Sequence, residues 1–337
     1  LETPATGSSE PYKMAPDTTW CYPSAVRTLG LVLLIYVSSS FIGKGATWDE
    51  VQQSPEYLAA KKYISDYLPD LAIPRTKEIL ARKDLDTTAR ATLLTLLGES
   101  EVRAGMPGLA LKTLDEPLLR DISPAHLWRS YALVQMGRYR DAIGELEKID
   151  RANMRENADL QTGKLLLALG DANDARPILE PLLESKDTSI QKEAKLQLTS
   201  VALSQDRLDD AGALLENISP ENPVEESLVR YLGGRLQLAK GERLSAVGTF
   251  QTLINDPEIR KKLPAPLFHE ATVALADSLA LGGNESAAVD SLIETLNKNP
   301  NPPNLDAIFA RLRAWAGKTD TTALIARISK WAPPLPK

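Results

Sequence analysis

Residues 130–146 read SYALVQMGRYRDAIGEL, and this stretch decides the fold. Ser130 stands seven positions before Gly137, and Ala142 and Leu146 follow that glycine by five and nine positions. A glycine can adopt the positive φ that ends one helix and lets the chain turn directly into the next. Small side chains allow the two helices to approach closely, and the leucine fills the space toward the next hairpin. The stretch therefore predicts a helix-turn-helix hairpin.

The same spacing occurs six times along the chain, with turn positions separated by 32, 33, 36, 35 and 42 residues. Hairpins repeated at such a period stack on one another and bury a continuous core. Each turn residue is followed by Ala and then by Leu or Phe, in the triplets Gly105, Ala110, Leu114; Gly137, Ala142, Leu146; Gly170, Ala175, Leu179; Asp206, Ala211, Leu215; Gly241, Ala246, Phe250; and Gly283, Ala288, Leu292. Seven positions before the turns stand the small residues Gly98, Ser130, Gly163, Thr199, Gly234 and Ala276.

Composition agrees with an all-α chain. Hydrophobic residues make up 43% of the sequence and aromatic residues only 5%, and few β-branched residues are consecutive. Sheet sandwiches and barrels are usually richer in both classes, so the composition disfavours them.

On these residues the sequence resembles the tetratricopeptide repeat family, whose unit of 34 residues is a helix-turn-helix. Tyr139 and Ala142 stand at positions that the family favours, and Leu97-Gly98 matches its first helix. The resemblance covers residues 90–298, which are expected to hold six repeats. It implies a right-handed α-solenoid of about six hairpins with helical caps.

Three departures from the family pattern predict local irregularity. Asp206 replaces the turn glycine of the fourth repeat, and Pro177 and Pro181 lie in the second helix of the third. A proline inside a helix removes a hydrogen bond and bends or ends the helix. Residues 255–266 lengthen the spacing before the sixth repeat, as a longer loop or a longer helix.

The flanks of the array are expected to cover its ends, because a solenoid needs caps with one polar face. Residues 47–89 look like a degenerate helical cap, interrupted at Pro69 and Pro74. Residues 299–337 begin with a proline-rich stretch, contain two helical segments at 305–315 and 321–331, and end in an extended tail, APPLPK.

Residues 1–46 are predicted to be an export segment. The apolar run Leu29–Val37 (LGLVLLIYV) follows Arg27 and precedes three serines, as in a secretory signal, and Met14 is a candidate true start. A cleaved signal and an uncleaved anchor both fit, because the run is shorter than the ~20 residues that span a bilayer comfortably. A buried strand is the third interpretation. Export predicts a protein of the periplasm or cell envelope, free or anchored to the inner membrane, that contacts membrane only through this segment.

The sequence contains few of the histidines and cysteines that metal binding and catalysis commonly use. His126 and His269 are the only histidines and lie in different repeats, and the single cysteine, Cys21, precedes the apolar run. No metal site, catalytic group or cofactor is therefore predicted. The net charge of −6 disfavours nucleic acid as a partner.

The remaining candidate function is recognition of a protein or peptide by the first helices of the repeats, which line the concave groove in the family. The resemblance carries the groove positions onto Thr95, Glu99, Arg103, Leu127, Tyr131, Gln135, Leu160, Lys164, Leu196, Ser200, Tyr231, Arg235, Val273 and Asp277. The prediction is a non-catalytic scaffold outside the cytoplasmic membrane, in an envelope assembly or secretion complex. The alternative is a helical module that positions a cell-wall polymer for an enzyme.

Overall fold

A computed structural model describes residues 46–150, 152–298 and 305–315, together with 322–323 and 326–327. The predicted export segment up to residue 45, with Met14, lies outside the described residues. So do the proline-rich stretch 299–304, the tail 332–337 and most of the segment 321–331. Among the described helices, none is both long enough and apolar enough to cross a membrane.

Helices account for 80% of the described structure. Its one β-type pairing is an isolated bridge between Ala46 and Leu85. The helices are α1 (Trp48–Gln52), α2 (Pro55–Ser65), α3 (Pro69–Leu80), α4 (Thr87–Arg103), α5 (Pro107–Leu114), α6 (Ser123–Gln135), α7 (Tyr139–Leu146), α8 (Ala152–Leu169), α9 (Ala172–Leu179), α10 (Thr188–Ser204), α11 (Leu208–Glu216), α12 (Pro223–Ala239), α13 (Arg243–Asn255), α14 (Pro257–Arg260), α15 (Ala265–Leu281), α16 (Glu285–Lys298) and α17 (Leu305–Trp315). Short 3-10 helices cover Pro117–Leu119 and Glu180–Glu184.

All six predicted turns separate two packed helices, and every turn residue has a positive φ. The five glycines have φ between 72° and 84°, and Asp206 has φ 57°. Aspartate tolerates this left-handed region better than most residues do, which explains why it can replace glycine here. Each hairpin packs on the next, so the prediction of an all-α solenoid is confirmed.

A further hairpin with the same register precedes these six, inside the segment predicted as a degenerate cap. Its turn residue is Tyr67, with φ 60°, between α2 and α3. Ala60 lies seven positions before it, and Ala72 and Thr76 lie five and nine positions after it; all three are fully buried. The described residues therefore contain seven hairpins of one register, and α1 packs against the first.

The small residues before the turns allow the close helix contacts that the sequence predicts. A Cβ added to Gly98 or Gly163 would overlap the buried side chains of Leu114 or Leu179. At Gly234 an added Cβ would lie 2.7 Å from Phe250 Cε1. The large residue nine positions after the turn therefore occupies the volume that a side chain on the first helix would need.

Two of the three predicted irregularities are present, whereas Asp206 keeps the regular turn geometry. Helix α9 contains Pro177 and ends at Leu179, and the chain continues as a 3-10 helix with Pro181 in its first turn. Before the last hairpin, α13 extends to Asn255 and the short helix α14 follows, capped by the side chain of Asp256. The longer spacing is therefore filled by a lengthened helix and an additional short one.

Helix α17 covers the last hairpin. Ile308 and Leu312 are buried and share a core cluster with Val273 and Leu292. Arg311 donates from Nε and Nη2 to the two carboxylate oxygens of Asp277, both at 2.7 Å. Such a two-point contact fixes the orientation of α17 on α15.

Candidate partner-binding face

The first helices of the hairpins, α2, α4, α6, α8, α10, α12 and α15, form the surface that we call the first-helix face. Five of the fourteen predicted groove side chains are buried rather than exposed on this face. They are Thr95, Leu160, Leu196, Tyr231 and Val273. Leu196 and Tyr231, for example, share a core cluster with Phe250. Burial also raises the pKa of the Tyr231 phenol, and nearby Glu270 raises it further.

The other nine side chains are partly or fully exposed: Glu99, Arg103, Leu127, Tyr131, Gln135, Lys164, Ser200, Arg235 and Asp277. Their contact with a partner stays a prediction.

Most charged groups among these nine are already paired within the chain. Arg103 Nε donates to Glu99 at 3.0 Å, and Lys164 Nζ lies 2.8 Å from Glu193 on the next hairpin. Asp277 is held by Arg311, as described above. Pairs like these contribute little to stability when exposed, but they neutralise the face on which they lie. Apolar and aromatic groups are therefore better candidates for binding a partner than these paired charges.

Such groups meet in a pocket of about 420 Å³ at the N-terminal end of the first-helix face, which we call the N-terminal pocket. The aromatic side chains of Tyr57 and Trp128 line it from α2 and α6. Leu96 on α4 contributes an apolar group to its lining, and the partly exposed Thr92 lies on the same helix. The lining also contains polar groups: Lys61, Glu99, Thr87, Thr88 and Thr95. Concave sites with apolar walls and a few polar groups are typical binding sites for side chains of a partner.

Trp128 is braced in this position. The Arg103 guanidinium lies 5.1 Å from its ring centroid, and the Tyr131 ring lies 5.3 Å away. A cation over an indole face adds stabilisation and restricts the rotamers of both side chains. Because its ring is ordered before a partner arrives, Trp128 loses little conformational entropy on binding.

The N-terminal pocket follows the register of the solenoid. Tyr57 and Lys61 stand ten and six positions before Tyr67, as Thr95 and Glu99 stand before Gly105. Sequence reasoning missed both residues because their turn residue is a tyrosine and the hairpin was not counted. It missed Trp128 because that residue lies one position beyond the groove position taken by Leu127, although tryptophan is a common binding anchor.

A solved structure has a fold similar to that of this chain. A tetratricopeptide repeat protein from Parabacteroides merdae ATCC 43184 superposes on the chain with a TM-score of 0.59. The match covers 78% of this chain and 98% of that one, with 14% sequence identity. The chain has a tetratricopeptide-repeat fold. No protein-family model matches the sequence, and no curated protein matches it either.

A charged network lies at the junction of the second and third hairpins of this tetratricopeptide-repeat fold. His126 and Arg129, both on α6, are buried. His126 Nδ1 lies 2.7 Å from Glu145 Oε2 and 3.1 Å from Arg129 Nη1. Arg129 also donates to the carbonyl oxygens of Leu114 and Leu119 at the end of the preceding repeat. Arg129 therefore joins two successive hairpins, and His126 has a structural role in contacting Arg129 and Glu145 within this network.

The network makes stability depend on pH through Glu145. Burial acts to raise the pKa of this carboxyl group, but hydrogen bonds from Lys148 and His126 outweigh burial and lower it. The resulting stabilisation is complete above the ordinary pKa of about 4.5 and is lost as pH falls through the lower folded pKa. Urea unfolding should therefore show that Glu145→Gln is less stable than the wild type at pH 7, with a difference that shrinks below about pH 4.5.

The control is Glu147→Gln, which removes an exposed carboxylate just after α7. It should change the free energy of unfolding by less than about 0.5 kcal/mol. A destabilisation by Glu145→Gln that stays constant from pH 7 to pH 3 would show that Glu145 does not act through its charge.

Proposed function

We propose that this protein is a non-catalytic scaffold that holds a segment of a protein partner on its first-helix face, with the N-terminal pocket as the main anchor. The observation that carries the proposal is the pocket itself, in which Tyr57 and Trp128 flank a mixed lining of apolar and polar groups from three successive hairpins. An extended or helical segment would insert an apolar side chain there and continue along the face. The neutralised charges of the face favour a partner segment of low net charge.

We also propose that the scaffold works outside the cytoplasmic membrane, in the periplasm or cell envelope, on an envelope assembly or secretion complex. The support is the predicted export segment. Helix α1 begins at Trp48 with a complete capping box at Thr47. A signal cleaved between Phe41 and Thr47 would release a chain whose first helix is intact. N-terminal sequencing of the protein from envelope and soluble fractions tests this: a soluble species starting there indicates cleavage, and an intact membrane-bound chain indicates an anchor.

The partner can be identified by photo-crosslinking in the native host. A benzoylphenylalanine at Thr92 would lie in the N-terminal pocket, whereas one at Thr252 would lie on the second helix of another hairpin. The two threonines are matched, because each hydroxyl donates to the carbonyl four residues earlier at 2.9 Å. We expect a crosslinked protein from position 92 and not from position 252.

With that partner purified, Trp128→Ala should weaken binding at least tenfold, because it removes the anchor ring. Thr92→Lys should do the same by filling the pocket without altering the buried core. Thr252→Lys should leave the dissociation constant within about twofold, since it changes a different face. Equal affinities for Thr92→Lys and Thr252→Lys, measured by calorimetry, would disprove the assignment of the pocket.

A further inference from the structure

Exposed apolar side chains concentrate on one edge of the first three hairpins. Ten large apolar side chains are exposed in the described residues, and six of them lie at or beside three successive turns. Tyr67 is 85% exposed, and the other five are 41–48% exposed. We call these six residues the apolar turn edge: Tyr67, Leu68, Leu71, Met106, Leu109 and Met136.

The three turns are neighbours. Gln135 Nε2 at the end of α6 donates to the Val102 carbonyl near the end of α4 at 3.0 Å. Ile64 and Ala72, on either side of the first turn, share a core cluster with Leu96 of α4. Adjacent helices pack 8–10 Å apart, so three stacked turns form a strip on the order of 20 Å long.

The remaining four turns are more polar. Two of them carry one exposed leucine each, Leu244 and Leu281, and the other exposed residues there are mostly polar: Asp174, Asp209, Glu242, Arg243 and Asn284. Tyr67 also occupies a left-handed conformation that glycine adopts more easily. An exposed aromatic side chain does not make this turn more favourable than glycine would. Its presence therefore favours a role in contact with another molecule.

We propose that the apolar turn edge is the interface of a twofold symmetric dimer of this chain. The six side chains expose apolar surface on the order of 500 Å², near the upper limit for a patch on a monomer. With a polar rim, such a patch approaches the ~800 Å² that each partner buries in a standard interface. The edge therefore has the size that a stable dimer needs.

Charge also favours a second copy here. The whole chain has a net charge of −6, so two copies repel each other on average. Within four residues of the three turns, three basic side chains balance three exposed acidic ones: Arg103, Arg138 and Arg140 against Asp66, Asp70 and Asp141. Two copies can therefore approach through this edge without net repulsion.

A twofold axis near the middle turn would make the contacts reciprocal. Met106 and Leu109 would meet their own counterparts across the axis. The group at the first turn, Tyr67 with Leu68 and Leu71, would meet Met136 of the second copy. Each copy would thus bury all six residues.

Sedimentation velocity on the full chain tests the dimer, with an expected mass of twice 36.8 kDa. The variant Tyr67→Asn with Leu71→Gln should raise the dissociation constant of the dimer at least tenfold, since both residues are apolar contacts. Asparagine tolerates the positive φ at position 67, and glutamine is a good helix former, so the hairpin should be retained. Leu244→Gln is the control, because Leu244 is 90% exposed but lies beside the Gly241 turn, outside the apolar turn edge.

Disulfide crosslinking tests the position of the axis. In a Cys21→Ser background, Met106→Cys should form a covalent dimer on mild oxidation, and Leu244→Cys should not. A chain that stays monomeric at high concentration would overturn the proposal. So would a dimer that the Tyr67→Asn, Leu71→Gln variant leaves unchanged, or one that crosslinks through Leu244→Cys in preference to Met106→Cys.

Discussion

Replacing Arg129 with methionine should lower the free energy of unfolding of the second and third hairpins by about 3–5 kcal/mol, because it breaks a buried ionic network by removing one partner. The guanidinium is buried, and it lies 3.6 Å from both Asp115 and Glu145. Methionine fills similar space but leaves Glu145 without that cation and the carbonyls of Leu114 and Leu119 without their donor. Buried acceptors without donors add to the loss.

Each hairpin of a solenoid contacts only its neighbours, so the damage should remain local. Hydrogen exchange followed by mass spectrometry should show faster exchange in α5 and α6, with no change in α15 and α16. The matched control is Arg138→Met, which removes an exposed arginine paired with Asp141 at 2.7 Å. It should cost less than about 1 kcal/mol. Equal losses in stability for the two variants would show that the buried network contributes no more than a surface pair.

The repeat register could be predicted from sequence because it depends on backbone conformation and residue size. Gly137 and Ala142 mark the turn and the helix crossing directly, and a positive φ was found at each predicted turn. The first hairpin was not counted because Tyr67 and Thr76 replace the glycine and the leucine of the pattern. Its register is preserved only by Ala60 and Ala72, which are too common in sequences to reveal a repeat alone.

The site was less predictable, because family positions specify where a residue stands on a helix but not how far neighbouring hairpins cover it. Leu196 and Tyr231 lie at groove positions, yet adjacent hairpins bury them. Lys164 and Asp277 are paired by Glu193 and Arg311, which belong to the next helical unit along the chain. Such pairs depend on the rotation between units, which no single repeat encodes.

Gly234→Ala should lower the free energy of unfolding by up to about 2 kcal/mol, although alanine is the better helix former. The added methyl would lie 2.7 Å from Phe250 Cε1, and Phe250 is fully buried and cannot move aside. Overpacking of this kind typically costs 1–3 kcal/mol, whereas the gain in helix propensity is at most about 1 kcal/mol. The steric term should therefore exceed the propensity term, as urea unfolding can measure.

Gly233 is a matched control in the same helix, because a Cβ at that position would meet nothing within 4 Å. Gly233→Ala should therefore stabilise α12 by up to about 1 kcal/mol. A double-mutant cycle locates the strain: Phe250→Leu should be less harmful in the Gly234→Ala background than in the wild type. The last repeat already pairs an alanine, Ala276, with a leucine, Leu292, at these two positions. If Gly234→Ala and Gly233→Ala have the same effect, or if the cycle shows no coupling, close approach of the two helices does not explain the glycine.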